Sequence, residues 1–332
     1  MLSRRLGEST TETVTDWLER LGGRYFRLNV EDLQYPSSFS YEPLDGVLRI
    51  HDHFTRAEQT IKLDEVRVVW YRRWSYFGKY CKNHVDAVYD QPHKQYELAD
   101  YLSQEMNAVG KAIFAGLRSA HWLSDAHTSK TDKMMMLMRA KEVGLDVPAT
   151  IIATTRDAMI EFAGRHERVI TKALGLGGYI SGLQDHSVAA YTSTVSEDTL
   201  RDQPPVFFPS LMQATVDKAY ELRCFVLGDE VHSMAIFSQG DSQTSVDFRR
   251  YNRDTPNRTV PYQLAAPVRD KLLALFRALG LDTGSADLIR TRDGRYVFLE
   301  INPIGQFGMV SIPCNYGLEE KVARHLIAHD KN

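Results

Sequence analysis

The stretch SADLIRTRDGRYVFLEINPIGQF, Ser285 to Phe307, constrains this chain more than any other part of it. Asp293-Gly294 is a hairpin-turn dipeptide, flanked on both sides by runs rich in apolar and β-branched residues. With those two residues as the turn, Asp287 lies directly opposite Glu300, and Asn302, two residues on, points to the same face. Two carboxylates facing each other across a strand pair repel. Their neighbours Leu288, Val297, Leu299 and Ile301 make plain solvation a poor remedy. Two arrangements relieve the repulsion. Asp, Glu and Asn oxygens can share a hard cation such as Mg²⁺, with coordination positions left for phosphate oxygens. Alternatively, one carboxyl with a raised pKa shares its proton with the other. The hairpin alone leaves both open.

At 332 residues the chain is long for a single core, so two or three subdomains are expected. Its 43% hydrophobic and 25% charged residues are those of an ordinary globular protein. With a net charge of −3 and no long basic run, nucleic acid is not expected as the principal partner. Cys81, Cys224 and Cys314 are odd in number and widely spaced, which argues against a disulfide framework or a cysteine zinc site and for a reducing cytoplasm. There is no signal-peptide pattern and no membrane-length apolar run, so a soluble, cytoplasmic protein is expected.

Residues 11–21 place Val14, Trp17, Leu18 and Leu21 at helical spacing, and Gly22-Gly23 stops that helix. Strands are expected in RYFRLNV, GVLRIHD, TIKLDEV and RVVWYRRW, followed by a long helix over 93–117. The opening MLSRRLGEST offers only a very short first strand. Thr131 can cap a helix running to Val143, which Gly144 ends. Strands are expected at 168–174, in SVAAYTSTV, and at 206–213, 219–227 and 230–238; a helix follows over 267–279 and another from about Leu318. The expected division is an N-terminal α/β domain over 1–125, a central lobe with a glycine-rich flap over 126–205, and a C-terminal lobe over 206–332.

Several side chains sit where ordinary packing does not call for them. Lys133 lies in a first helical turn, where the dipole disfavours a cation unless an anion binds there; a solvated lysine is the plain alternative. Lys172 sits mid-strand just before Gly175, Gly177 and Gly178, in a loop that fits neither a Walker A nor a Rossmann pattern. The loop reads either as a flap over phosphates or as a plain hairpin. Gln213 to Asp217 form a short link between strands whose backbone can meet an adenine edge. Alternation puts Glu221 and Arg223 on one face, with Arg223 either gripping an anionic group or pairing structurally with Glu221. Asp247 and Arg249 share one side of an extended segment, and Arg72 and Arg73 stand beside aromatics in WYRRW, where a stacked structural arginine is the simpler reading.

In that order, the two lysines, the glycine flap, the Q-x-x-x-x-K-x-x-E-L-R linker strand and the D…E-x-N hairpin resemble the ATP-grasp fold over almost the whole chain. WYRR, K-A-x-E-L-R, D-F-R and L-E-I-N-P-I-G-Q-F further resemble its peptide-maturing branch, the graspetide synthetases that include the microviridin ligases. The ending GQFGMVSIPCNYGLEEKVA is similar to the grasp-with-spasm maturases. The resemblance implies an α/β protein (α+β lobes) with a pre-ATP-grasp-like domain, ATP and Mg²⁺ as cofactors, a ribosomal precursor peptide as partner and a homodimer. It implies that Lys133 and Lys172 contact the ATP phosphates, with Gly177 and Gly178 in the flap. Gln213, Ala214 and Val216 would hold adenine, with Lys218 beside them. Asp287, Glu300 and Asn302 would bind Mg²⁺. Arg223 would act near the γ-phosphate, and Arg249, with Asp247, at the acceptor. Arg72, Arg73, Glu197, Asp198 and Gln306 are the substrate-side candidates; Gln306 departs from the glutamate of the microviridin ligases.

The chemistry so implied is an ATP-dependent ligase that turns Asp or Glu side chains of the peptide into acyl phosphates and joins them to Thr, Ser or Lys side chains. An amino-acid or small-peptide ligase of the same fold is a second reading, which would form ADP with free amino acids. A non-catalytic ATP-dependent peptide-binding module is a third, which would form no ADP in a single turnover.

Overall fold

The computed structural model describes the chain apart from residues 6, 34–36, 53–55, 75–91, 126–131, 176–178, 184–185, 190–191, 241–247, 249–251, 253 and 331–332, with backbone alone for 92–96, 179–183 and 186–189. It divides into two compact units, one of residues 1–126 with 317–332, the other of residues 127–316. The C-terminal helix Leu318–Asp330, which the sequence reading puts in the last lobe, therefore belongs with the N-terminal segment.

In the first unit, β1 (Leu2–Ser3) pairs in parallel with β2 (Leu28–Asn29) across helix α1 (Ser9–Arg20). The first strand is as short as the opening residues imply. The strand expected over RYFRLNV is reduced to β2, just before which Arg27 binds Asn29, Glu12 and the Arg4 carbonyl. Strands β3 (Ser37–Glu42), β4 (Val47–Asp52) and β5 (Glu58–Lys62) form an antiparallel meander. Strand β6 (Val68–Trp70) and β7 (His121–Leu123), joined through helix α2 (Pro92–Gly116), form a second parallel pair. The C-terminal helix packs on α1 and β6.

Among its described residues, the second unit holds two larger antiparallel sheets and a separate two-stranded hairpin. Helix α3 (Lys133–Glu142) leads into β8 (Thr150–Thr155) and α4 (Arg156–Gly164), then β9 (Val169–Lys172), the hairpin β10 (Tyr179–Leu183) with β11 (His186–Ala189), β12 (Ser193–Val195), α5 (Glu197–Arg201) and β13 (Val206–Ala214). The first sheet runs β12-β9-β13-β8. Strand β13 lies between β9 and β8 in this sheet. Asp132 caps α3 by accepting from the Met135 N–H at 2.9 Å, whereas Thr131 lies outside the described residues. Strand β9 ends at Lys172, so Lys172 is its last residue and not a mid-strand one.

The second sheet runs β16-β15-β14-β17-β18, built from β14 (Lys218–Leu227), β15 (Glu230–Phe237), β16 (Arg258–Tyr262), β17 (Thr283–Thr291) and β18 (Tyr296–Asn302). Helix α6 (Ala266–Ala278) precedes β17, and α7 (Gly308–Cys314) follows β18. Strand alternation sorts the two faces. Leu222, Cys224, Val226, Ala286 and Leu288 pack with Met136 and Leu137 of α3 and with Leu272, Leu275 and Phe276 of α6. Each large side chain so buried contributes about 1.5–3 kcal/mol. The opposite face is left to Glu221, Arg223, Ser285 and Asp287.

Candidate active site

The hairpin reaches the register read from the sequence by a different route. Its loop is Arg292-Asp293-Gly294, with the Thr291 N–H donating to Arg295 O at 3.0 Å and Gly294 at φ +90°, a conformation glycine tolerates. Thr291 and Arg295 side chains hold Asp293 at both ends of the turn, which depresses its carboxyl to about 2, the Thr291 hydrogen bond being the larger cause. One residue longer than a two-residue turn, this loop alone would set Leu299 against Asp287 and turn Glu300 to the core face. An irregularity between Asp287 and Leu288 absorbs the extra residue: Leu288 pairs with Phe298, but Asp287 pairs with Glu300 and Ser285 with Asn302. The bulge falls at Leu299. It brings both carboxylates to one face.

Two protein cations stand against these carboxylates. Arg223 lies across from Asp287 on β14 and donates from Nη1 to both carboxylate oxygens, at 2.8 and 2.7 Å, with side-chain exposures of 9% and 12%. Lys133, at the start of α3, reaches Glu300 at 3.4 Å and also the Ala173 carbonyl at 3.4 Å. Arg223 does not pair with Glu221, which binds Lys218 and Ser238. Asn302 accepts from the Ile304 N–H at 3.2 Å, which starts the tight turn through Pro303. Gly305 closes that turn at φ +60°, where a Cβ would stand 3.1 Å from Gly284 Cα, so the N-P-I-G order needs its glycine.

A cavity between the two sheets gathers seven of the candidates, Lys172, Gln213, Ala214, Val216, Lys218, Asp287 and Glu300. Ile170 and Lys172 line it from β9, Gln213 and Ala214 from the end of β13, Thr215, Val216 and Asp217 from the link, which is shorter than the expected Gln213–Asp217, and Lys218, Glu221, Asp287, Leu299 and Glu300 from the second sheet. Gln213 is buried within β13, paired with both β8 and β9, and its side chain donates to Thr150 Oγ1 at 2.8 Å. Ile170 and Leu299 supply apolar surface that a flat ring can lie against. The sequence reading missed both, since a cavity-facing apolar residue looks like a core residue in a strand pattern. The chemistry of the set is oxygen donors beside lysines, which fits a hard divalent cation with phosphate oxygens.

The remaining candidates lie elsewhere. Gly177, Gly178, Asp247 and Arg249 fall outside the described residues. Arg72 and Arg73 belong to the first compact unit, where Arg72 is buried, pairs with Glu8 at 3.3 Å and lies over the Trp70 ring at 5.1 Å. Burial lowers its pKa to about 10 against the opposing pull of Glu8. Arg73 reaches the same Glu8 at 3.3 Å. Glu197 and Asp198 open α5, Glu197 pairing with Arg201, and Gln306 is exposed just before α7.

Residues 5–130 match the family model described as the MvdD pre-ATP grasp domain. No curated protein matches the chain. Among solved structures, the macrocyclase MdnC of Microcystis aeruginosa, bound with precursor peptide MdnA, is 25% identical with a TM-score of 0.79 over 98% of this chain and 97% of that one. A RiPP-associated ATP-grasp ligase of Chryseobacterium gregarium, in complex with ADP and a leader and core peptide, is 22% identical with a TM-score of 0.81 over 100% and 96%. The ATP-grasp ligase PsnB, complexed with a phosphomimetic variant of a minimal precursor, Mg and ADP, is 16% identical with a TM-score of 0.76 over 99% and 97%.

Proposed function

We propose that this ATP-grasp chain, with its MvdD-type pre-ATP-grasp segment, is a macrocyclising ligase acting on a ribosomal precursor peptide. The observation that supports it most is that Asp287 and Glu300, paired with Arg223 and Lys133, face a cavity that Lys172 and residues Gln213 to Lys218 also line.

Lys133 and Lys172 hold ATP phosphates, while Ile170, Leu299 and the backbone of Gln213, Ala214 and Val216 receive the adenine. Asp287, Glu300 and Asn302 are the residues that would hold Mg²⁺, which when bound neutralises phosphate charge during transfer. Arg223 holds Asp287 in place through both carboxylate oxygens, and is positioned to share charge with the transferring phosphoryl group. A substrate Asp or Glu carboxylate oxygen attacks the γ-phosphorus, ADP leaves, and an acyl phosphate forms. A Thr or Ser hydroxyl, or a Lys amine, then attacks the acyl carbon; the nucleophile loses its proton and inorganic phosphate departs, leaving an ω-ester or ω-amide. Arg249 holds the acceptor carboxylate in this reading, Asp247 is a further catalytic candidate two positions before it, and Gly177 and Gly178 lie in the flap that keeps water from the acyl phosphate.

The N-terminal segment is assigned to the leader of the precursor, with Arg72, Arg73, Glu197, Asp198 and Gln306 as the peptide-side candidates, in a cytoplasmic homodimer. No helix among the described residues is long and apolar enough to cross a membrane. The test is the intact mass of a precursor peptide co-expressed with the enzyme. Each cross-link removes one water, about 18 Da, with no phosphate left on the product. An unmodified precursor alongside ADP formation from free amino acids would transfer the assignment to a small-molecule ligase.

A further inference from the structure

Among the described residues, one cluster of metal-ligating side chains stands outside the cavity. His121 opens β7, while His325 and His329 are one turn apart on the C-terminal helix, all within the first compact unit. A ligating nitrogen from each lies within 4.8 Å of the other two, and all three residues are half-buried. The His121 and His329 rings stack at 4.2 Å with 12° between their planes, and the His325 and His329 rings lie 4.3 Å apart at 37°. Bringing three imidazoles together on two elements so distant in sequence is an uncommon packing choice, since aliphatic side chains fill a strand–helix contact at least as well.

We propose that His121, His325 and His329 form a binding site for one divalent transition-metal ion of the Zn²⁺ class, joining the C-terminal helix to β7. Three ligands suit this assignment. Neutral imidazole is the commonest protein ligand for Zn²⁺ and its neighbours in the transition series, whereas Mg²⁺ prefers oxygen. A helical pair four residues apart presents both rings on one face. His329 Nδ1 lies 2.8 Å from the His325 carbonyl, an outer hydrogen bond that fixes the ring and leaves Nε2 as the ligand atom. With metal–nitrogen bonds of about 2.0–2.1 Å, tetrahedral ligand atoms stand roughly 3.3 Å apart, so the rings must close in and splay out of their stack. Rotation about χ2, a broad torsion in histidine, provides that movement at little cost. The fourth position is left to water. Because the ligands come from residues about two hundred positions apart in the chain, the bound ion acts as a staple that stabilises the folded form by mass action.

The experiment is metal analysis of the full-length protein, purified without a histidine tag, loaded with Zn²⁺ in the presence of millimolar Mg²⁺ and passed through gel filtration. The expected result is one Zn²⁺ per chain, a rise in thermal midpoint with Zn²⁺ and not with Mg²⁺, and visible Co²⁺ absorption bands of tetrahedral intensity. His325→Gln and His329→Gln each weaken Zn²⁺ binding by at least about tenfold and abolish the thermal shift, while Asp287→Asn leaves both intact. His121→Gln is a third variant; should it fail to fold, the two helix variants decide alone. A wild-type protein that elutes without Zn²⁺, or folded helix variants that hold it as tightly as wild type, would overturn the assignment.

Discussion

The two facing carboxylates differ in what they cost to remove, and that difference tests the ionic arrangement directly. Asp287→Asn keeps the shape but leaves the Arg223 guanidinium, whose side chain is only 9% exposed, without its two-oxygen partner. Breaking a buried pair from one side costs about 3–5 kcal/mol, and the partial access of water at the cavity mouth points to the lower end, about 3 kcal/mol. For a unit the size of residues 127–316, that lowers the thermal midpoint by roughly 6–12 °C. Glu300→Gln removes a looser pair. Lys133 stands 3.4 Å away, both side chains are about one-fifth exposed, and Gln can still accept a hydrogen bond. Its cost is below about 1 kcal/mol, a shift of at most about 4 °C. Both variants lose ADP formation by on the order of 10²-fold or more, because each removes an oxygen from the site assigned to Mg²⁺. The assay is thermal unfolding by near-ultraviolet circular dichroism in the presence of a chelator, with single-turnover ADP formation measured separately on the same preparations in excess Mg²⁺. The double variant Asp287→Asn/Arg223→Met recovers part of the lost stability, since it removes the stranded charge. Equal midpoints for the two single variants would refute the argument that the buried Arg223–Asp287 pair matters more to folding than the looser Lys133–Glu300 pair.

Two further outcomes are expected. Arg223→Ala stops ADP formation along with cross-linking, whereas Arg249→Lys still binds ATP by calorimetry but needs a much higher peptide concentration, because lysine lacks the planar two-pronged grip; loss of ATP affinity in Arg249→Lys would place that arginine on the nucleotide instead. Burial pushes the Cys224 thiol up to about 12, so at pH 8 it stays protonated and iodoacetamide does not label it in the folded protein, although it does in guanidinium chloride; labelling of Cys224 under native conditions would contradict the burial.

The sequence by itself determined the two-faced character of the site strands. Alternation is a local property, so Leu222 and Cys224 on the core face, and Glu221, Arg223 and Asp287 on the other, could be read before any pairing was known. The same holds for α1, α2 and α6, whose periodic apolar stripes mark them within a few residues. The helix α4 and strand β8 were not legible, because short elements such as TIIATT carry too few periods to stand out. Tertiary structure decided what the charges do. The pairing of Asp287 with Glu300 needs both a longer loop and the bulge at Leu299, two departures from the simplest hairpin that cancel. Arg223 and Lys133 reach those carboxylates from other elements of the second compact unit, and no local pattern contains that information. Likewise His121 meets His325 and His329 only because the C-terminal helix packs in the first compact unit. Spacing along the chain sets which face a side chain takes; which groups share that face depends on long-range packing, where burial and charge compensation choose the partners.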